Sequence, residues 1–264
     1  VTVKDPTFNP LYLPSHGWVS AEVEDEEAPE LLFLGDSHAS MYHGASLVVA
    51  NELGYRYVNS SAGDCGFTLL RPIALDGACS VQLEALDELE EGDVVVFAAL
   101  RIPRYVDQDG ILREAPDPAD PARIAEREAA LEQFLPIVDD LRERGVGVVL
   151  ASPTPLYEYI PLRCSDWFNS MNPVCDGRAE IPRAELLERA APAQEGLDAV
   201  LAARPDVVSW DVFDVLCPDP VCSIFDRDGL LLFQDQDHVG GRGNEAVLPS
   251  LREAVASAVA TASR

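Results

Sequence analysis

Leu31-Leu32-Phe33-Leu34-Gly35-Asp36-Ser37-His38 is the stretch on which the fold turns. An unbroken run of large apolar residues reads as a strand buried on both faces, the pattern of a parallel sheet. The Gly-Asp-Ser that follows marks a sharp turn, with a helix expected to begin near Ser40. A serine on such a strand-to-helix turn presents its hydroxyl at the carboxyl edge of the sheet, where a nucleophile is useful. Asp36 and Ser37 also fit a plainer role as caps of the next helix, a position that Asp and Ser favour strongly.

Moving outward, buried-strand patterns recur with helical patterns between them. Strands are expected at about 31–35, 55–60, 93–99, 146–151 and 206–210, and helices at about 40–53, 80–90, 120–144, 184–203 and 241–262. Arg144-Gly145 before Val146 supplies the basic last turn and glycine stop of a helix-to-strand junction. The alternation predicts a three-layer α/β/α sandwich with a parallel sheet and a site at the carboxyl ends of its strands. Residues 1–29 read as an extended strap packed on the domain, and 30–264 as the domain itself. Residues 101–120 and 153–183, rich in proline and polar residues, read as long loops over the carboxyl edge, where loops commonly form binding walls.

A serine hydroxyl is a poor nucleophile until a base takes its proton, so Ser37 calls for a histidine and an orienting carboxylate. The chain holds only four histidines. His238 lies in Phe233-Gln234-Asp235-Gln236-Asp237-His238, just before a glycine-rich turn and the last helix. Asp235 precedes it by three residues, a spacing that lets the carboxylate fold back onto the imidazole Nδ1–H. Asp237, one residue away, is expected to point elsewhere. An Asp-x-x-His pair also fits a solvated loop or metal ligation, but no further His or Cys follows to complete a metal site, and no cofactor is implied.

The 264 residues carry a net charge of −27, and Lys4 is the only lysine. A surface this acidic repels phosphate backbones and anionic lipid heads, which argues against nucleic-acid binding. No apolar run is long enough to span a bilayer. The N-terminus lacks the pattern of a signal peptide, so the chain reads as mature or as an excised fragment. The six cysteines fall into three local pairs, Cys65 with Cys79, Cys164 with Cys175 and Cys217 with Cys222. Each pair brackets a Gly- or Pro-containing loop, so three disulfides and an oxidising, extracytoplasmic compartment are expected.

Taken together, Gly35-Asp36-Ser37-His38-Ala39, Ala62-Gly63-Asp64-Cys65, and Cys217…Cys222 ahead of Asp235-x-x-His238 resemble the SGNH/GDSL hydrolase superfamily. The closer resemblance is to the SGNH domain fused to acyltransferase-3 membrane proteins, which O-acetylate surface carbohydrates. It implies a flavodoxin-like sheet, a Ser37–His238–Asp235 triad, and an oxyanion hole shared by the Ser37 N–H and a glycine N–H. Gly63 matches that glycine, with Gly66 a near competitor. The asparagine usual after the third strand is absent, and Arg101 stands near its place, either as an oxyanion or substrate ligand or as a salt-bridge partner. The usual Leu-Ser after the histidine is Val239-Gly240 here. Trp167, Phe168, Tyr157 and Tyr159 are candidates for a sugar-stacking platform, or else local anchors.

The resemblance implies a serine-dependent O-acyltransferase that moves an acetyl or short acyl group to a hydroxyl of a cell-envelope carbohydrate or glycolipid. An acyltransferase-3 membrane domain is the expected upstream partner, tethering the domain outside the cytoplasm. Two alternatives are a secreted carbohydrate or acetyl esterase with the same triad and a non-catalytic carbohydrate-binding module.

Overall fold

The computed structural model describes residues 6–23, 25–63, 65–74, 79–100, 117, 119–157 and 180–262. A 3-10 turn (Pro6–Phe8) leads into β1 (Tyr12–Leu13), β2 (Gly17–Trp18), β3 (Glu30–Gly35), α1 (Ser37–Met41), α2 (His43–Leu53), β4 (Arg56–Ser61) and α3 (Ser80–Asp87). The chain continues through β5 (Val94–Ala98), α4 (Pro121–Glu143), β6 (Gly147–Ala151), β7 (Glu180–Pro182) and α5 (Arg183–Ala203). It ends with β8 (Val208–Trp210), α6 (Val212–Leu216), β9 (Val221–Ser223) and α7 (Gly241–Ala262).

Five strands form one sheet in the order β4-β3-β5-β6-β8, every pair parallel. Apolar runs explain this arrangement, because successive side chains point to opposite faces and both faces must be covered. Leu31 and Phe33 of β3, Val94 and Val96 of β5 and Val149 of β6 enter one core, which α2 and α7 complete. Leu32, Leu34, Val95, Phe97, Val148 and Leu150 enter the other, with Phe134, Val138 and Leu141 of α4 and Leu197 and Val200 of α5. Helices on both faces of a parallel sheet give the three-layer α/β/α sandwich.

The sheet order has a consequence for the site. Numbered within the sheet, the strands run 2-1-3-4-5, so the chain crosses to opposite sides after β3 and leaves a crevice at the carboxyl ends of β3 and β5. Gly35 is in register with Ser61 of β4 and Ala98 of β5, which aligns those three ends.

At Gly35 the chain leaves no room for a side chain beside β5: a Cβ there would lie 1.7 Å from the Ala98 carbonyl oxygen. No rotamer relieves a clash with backbone, so β3 or β5 would have to shift. Gly35→Ala is expected to lower stability by about 1–3 kcal/mol or more, read as a fall in the thermal unfolding midpoint, and to displace the following turn.

Among the described residues the short α6 (Val212–Leu216) was not expected, and the first helix differs from its expected span. In place of a single helix over 40–53, α1 begins at Ser37 and Tyr42 separates it from α2. Asp36 caps α1 by accepting the His38 backbone N–H, which starts the helix three residues early. Residues 6–23 lie against α7 and α2 through the 3-10 turn and the β1–β2 hairpin, with Leu13 fully buried. The close contact is at Gly241, where a Cβ would meet the Tyr12 carbonyl oxygen at 1.9 Å.

Disulfides join Cys65 to Cys79 and Cys217 to Cys222. The expected Cys164–Cys175 pair lies outside the described residues. β7 pairs antiparallel with β9, and bridges between Phe225 and Leu231 and between Phe233 and Val239 continue a folded ribbon toward the start of α7. That ribbon carries His238.

Candidate active site

β3 delivers Asp36 and Ser37 to the carboxyl edge of the sheet. One Asp36 carboxylate oxygen accepts the His38 backbone N–H at 2.8 Å and lies 3.1 Å from His38 Nδ1. Its other oxygen accepts the Leu100 N–H at 2.8 Å. The turn is thereby fastened both to its own helix and to the chain leaving β5. Burial opposes ionisation of Asp36, but the hydrogen bonds and charge of His38 and the backbone N–H of Leu100 outweigh it and hold the carboxyl below its usual range. Gln82, buried on α3, donates to the Gly35 and Ser60 carbonyls at 2.5 and 3.0 Å and so joins the ends of β3 and β4 from below.

Ser37 sits in the first turn of α1 with its side chain exposed. Its backbone N–H is one of those that have no partner within a helix. His238 Nε2 stands 2.8 Å from Ser37 Oγ across a sequence separation of 201 residues. His238 Nδ1 lies 2.8 and 3.0 Å from the two Asp235 carboxylate oxygens. The intervening turn is set by Asp235 Oδ1, which also accepts the backbone N–H groups of Asp237 and His238 at 3.0 and 2.8 Å. Gln236 in this turn accepts the Tyr157 N–H at 2.9 Å.

Asn244, fully buried in the first turn of α7, ties the two halves of the site together. Its Nδ2 donates to the Met41 carbonyl at the end of α1 (2.8 Å) and to the Gly240 carbonyl after His238 (3.0 Å), and its Oδ1 accepts the Ala45 N–H (2.9 Å). One side chain therefore fixes the serine helix against the histidine turn. Sequence reasoning did not single out Asn244; its position three residues into the glycine-rich start of the last helix was the available signal.

Asp237 departs from expectation. Instead of pointing away, its Oδ1 lies 3.0 Å from His238 Nδ1, because the turn closed by Asp235 curls both carboxylates toward the same ring nitrogen. Burial disfavours the imidazolium, but hydrogen bonds to Asp235 and Asp237 and the charges of both push His238 up to about 9. The same pairing, with a contribution from His38, holds Asp237 well below the usual carboxylate range against the opposing effect of burial.

His38, Asp237 and His238 each offer a ligand atom within 4.8 Å of one another. Both ring nitrogens of His238 are already engaged, Nε2 by Ser37 and Nδ1 by carboxylates. In this arrangement the His238 atoms of the cluster serve the serine and the carboxylates.

Gly63 is exposed in the turn after β4, and a Cβ on it would meet nothing within 4 Å. Gly66 is buried, and a Cβ there would lie 2.7 Å from the Ala99 Cβ and 3.2 Å from the Asp36 nitrogen. Its place is thus filled by the floor of the site, whereas Gly63 faces open space. Tyr157 is buried, with its ring 5.1 Å from that of Phe233 in an edge-on contact. It supports the histidine ribbon from inside and does not offer a ring face to a sugar. Arg101, Tyr159, Trp167 and Phe168 lie outside the described residues.

A parallel α/β sandwich with a serine at its switch point, hydrogen-bonded through histidine to aspartate, defines a class of serine-hydrolase-like domains. The family model described as "SGNH domain (fused to AT3 domains)" matches residues 10–253, and the chain belongs to that family. Among solved structures, the periplasmic domain of a lipopolysaccharide acetyltransferase from Salmonella ser. Paratyphi A is similar over 87% of this chain and 84% of its own, with 12% identity and a TM-score of 0.53. An acetyl xylan esterase, AlAXEase, is similar over 85% of this chain and 98% of its own, with 13% identity and a TM-score of 0.43. A comparison with curated proteins found no match.

Proposed function

We propose that this domain is a serine-dependent O-acyltransferase that carries an acetyl or short acyl group on Ser37 and passes it to a hydroxyl of a cell-envelope carbohydrate or glycolipid. The hydrogen-bonded chain Ser37 Oγ, His238 and Asp235, at 2.8 Å for each link, carries this assignment. His238 Nε2 takes the Ser37 proton as Oγ attacks the acyl carbonyl, and the carbonyl oxygen becomes an oxyanion held by the N–H groups of Ser37 and Gly63. Collapse of the intermediate expels the donor's oxygen, which leaves with the proton from His238. The acceptor hydroxyl then gives its proton to His238, attacks the Ser37 ester and regenerates the serine. Membership of a family described as fused to AT3 domains supports a membrane-embedded partner that delivers the acyl group. The disulfides fit a domain working outside the cytoplasm. Among the described residues no helix is long and apolar enough to cross a membrane; tethering is proposed to come from that partner. Arg101 and Trp167 are proposed to contribute to acceptor binding.

An esterase reading rests on one observation, the exposure of Ser37, which gives water access to the acyl-enzyme. The test supplies the purified chain with an activated acetyl ester, with and without an oligosaccharide acceptor, and follows products by mass spectrometry. Transfer predicts an acetylated sugar at the expense of acetate, whereas acetate alone at every acceptor concentration contradicts it.

His238 must be neutral to accept the Ser37 proton, and its titration near 9 leaves most molecules protonated at neutral pH. kcat/KM for an activated ester is therefore expected to rise about tenfold per pH unit below that point and to level above it. A profile already flat at pH 7 contradicts the expectation.

A further inference from the structure

The mechanism above uses Asp235 to orient His238 and leaves a row of ionisable groups without a task. The Asp237 side chain is 2% exposed, against 38% for Asp235, and both reach His238 Nδ1, Asp237 at 3.0 Å and Asp235 at 2.8 Å. Behind Asp237 lies His38, also 2% exposed, with Nε2 4.0 Å from an Asp237 oxygen. The His38 ring packs against the His238 ring at 4.8 Å between centroids and 32° between planes. His38 Nδ1 in turn faces Asp36 at 3.1 Å. Ionisable groups buried in a row are costly unless they hold one another. A helix cap explains Asp36 and leaves Asp237 and His38 unexplained.

Resting on the Ser37–His238 reading, we propose that Asp237 is a second positioning carboxylate for His238, held from behind by His38 and Asp36. The nucleophile turn thus supplies both the serine and the support of its base. When His238 takes the serine proton, the resulting imidazolium faces two carboxylates at Nδ1. The exposed one is screened by water, and the buried one acts through a medium of lower dielectric. Asp237 touches no substrate; it fixes the ring angle and raises the basicity of His238. Among the described residues, the groups facing this pair are Asp235 from the same turn and Ser37 and His38 from α1, with Asp36 beyond His38.

The test is the pH profile of activated-ester turnover in the whole chain. An opposite charge at hydrogen-bond distance moves a titration by about one to three pH units. Asp237→Asn should therefore bring the acid limb of kcat/KM down by at least about one unit with KM nearly unchanged. Asp235→Asn should keep more turnover than Asp235→Asn with Asp237→Asn. An unmoved limb in folded Asp237→Asn, or a double variant no worse than Asp235→Asn, overturns the proposal. Wild-type protein gives the same answer without a substitution: the carboxylate carbon of Asp237, followed by NMR, should step at the pH where His238 titrates, and the absence of a step overturns it. The underlying reading is checked separately by Ser37→Ala. Turnover surviving in Ser37→Ala removes the nucleophile, whereas loss in Ser37→Ala with no response at Asp237 removes only the second carboxylate.

Discussion

Ser37→Ala is expected to lose at least about a thousandfold of turnover toward a small activated acetyl ester, because no covalent acyl-enzyme can form. The loss should appear in kcat with the fold intact. Ser37 is exposed and its side chain contributes nothing to either core, so the thermal midpoint should stay within a few degrees of the parent. A fall in activity accompanied by a fall in stability would mean that the serine serves the helix start. Asp36, whose carboxylate accepts the His38 N–H, already fills that role.

His238→Ala should fall about as far as Ser37→Ala, and the pair together no further. The two residues act as one unit: without the base the hydroxyl keeps its proton, and without the hydroxyl the base has nothing to activate. Additive losses would place His238 and Ser37 in separate tasks, against the 2.8 Å contact between them. The kinetic comparison on purified single and double variants decides between these outcomes.

The central strands were legible because burial on both faces requires apolar runs, and Leu31–Leu34, Val94–Phe97 and Val148–Leu150 are such runs. The Asp-x-x-His turn was legible for a local reason, since a carboxylate three residues upstream can accept the backbone N–H and the ring N–H of the same histidine. Disulfides between Cys65 and Cys79 and between Cys217 and Cys222 close short loops, which proximity in sequence already favours.

Less legible were features that depend on what the chain meets after it turns. The antiparallel pairs β1–β2 and β7–β9 have strands of two or three residues, too short for any periodicity. The break at Tyr42 depends on how early Asp36 starts α1, and Tyr42 itself is buried, its ring 4.7 Å from that of Trp210. Asp237 was misplaced because neighbouring residues usually diverge, whereas here the turn closed by Asp235 folds the backbone so that they converge. His38 carried no separate signal beside the serine it follows. Besides Asp36 its neighbours are Asp237 and His238, far downstream in the chain, and folding of the sheet brings them together.

The most direct measurement is the intact mass of the purified chain after exposure to a serine-directed fluorophosphonate, followed by peptide mapping. One adduct is expected, on the peptide containing Ser37, formed in the parent and lost in His238→Ala. An unlabelled parent, or an adduct mapped to any other serine, would contradict the assignment of Ser37 as the nucleophile.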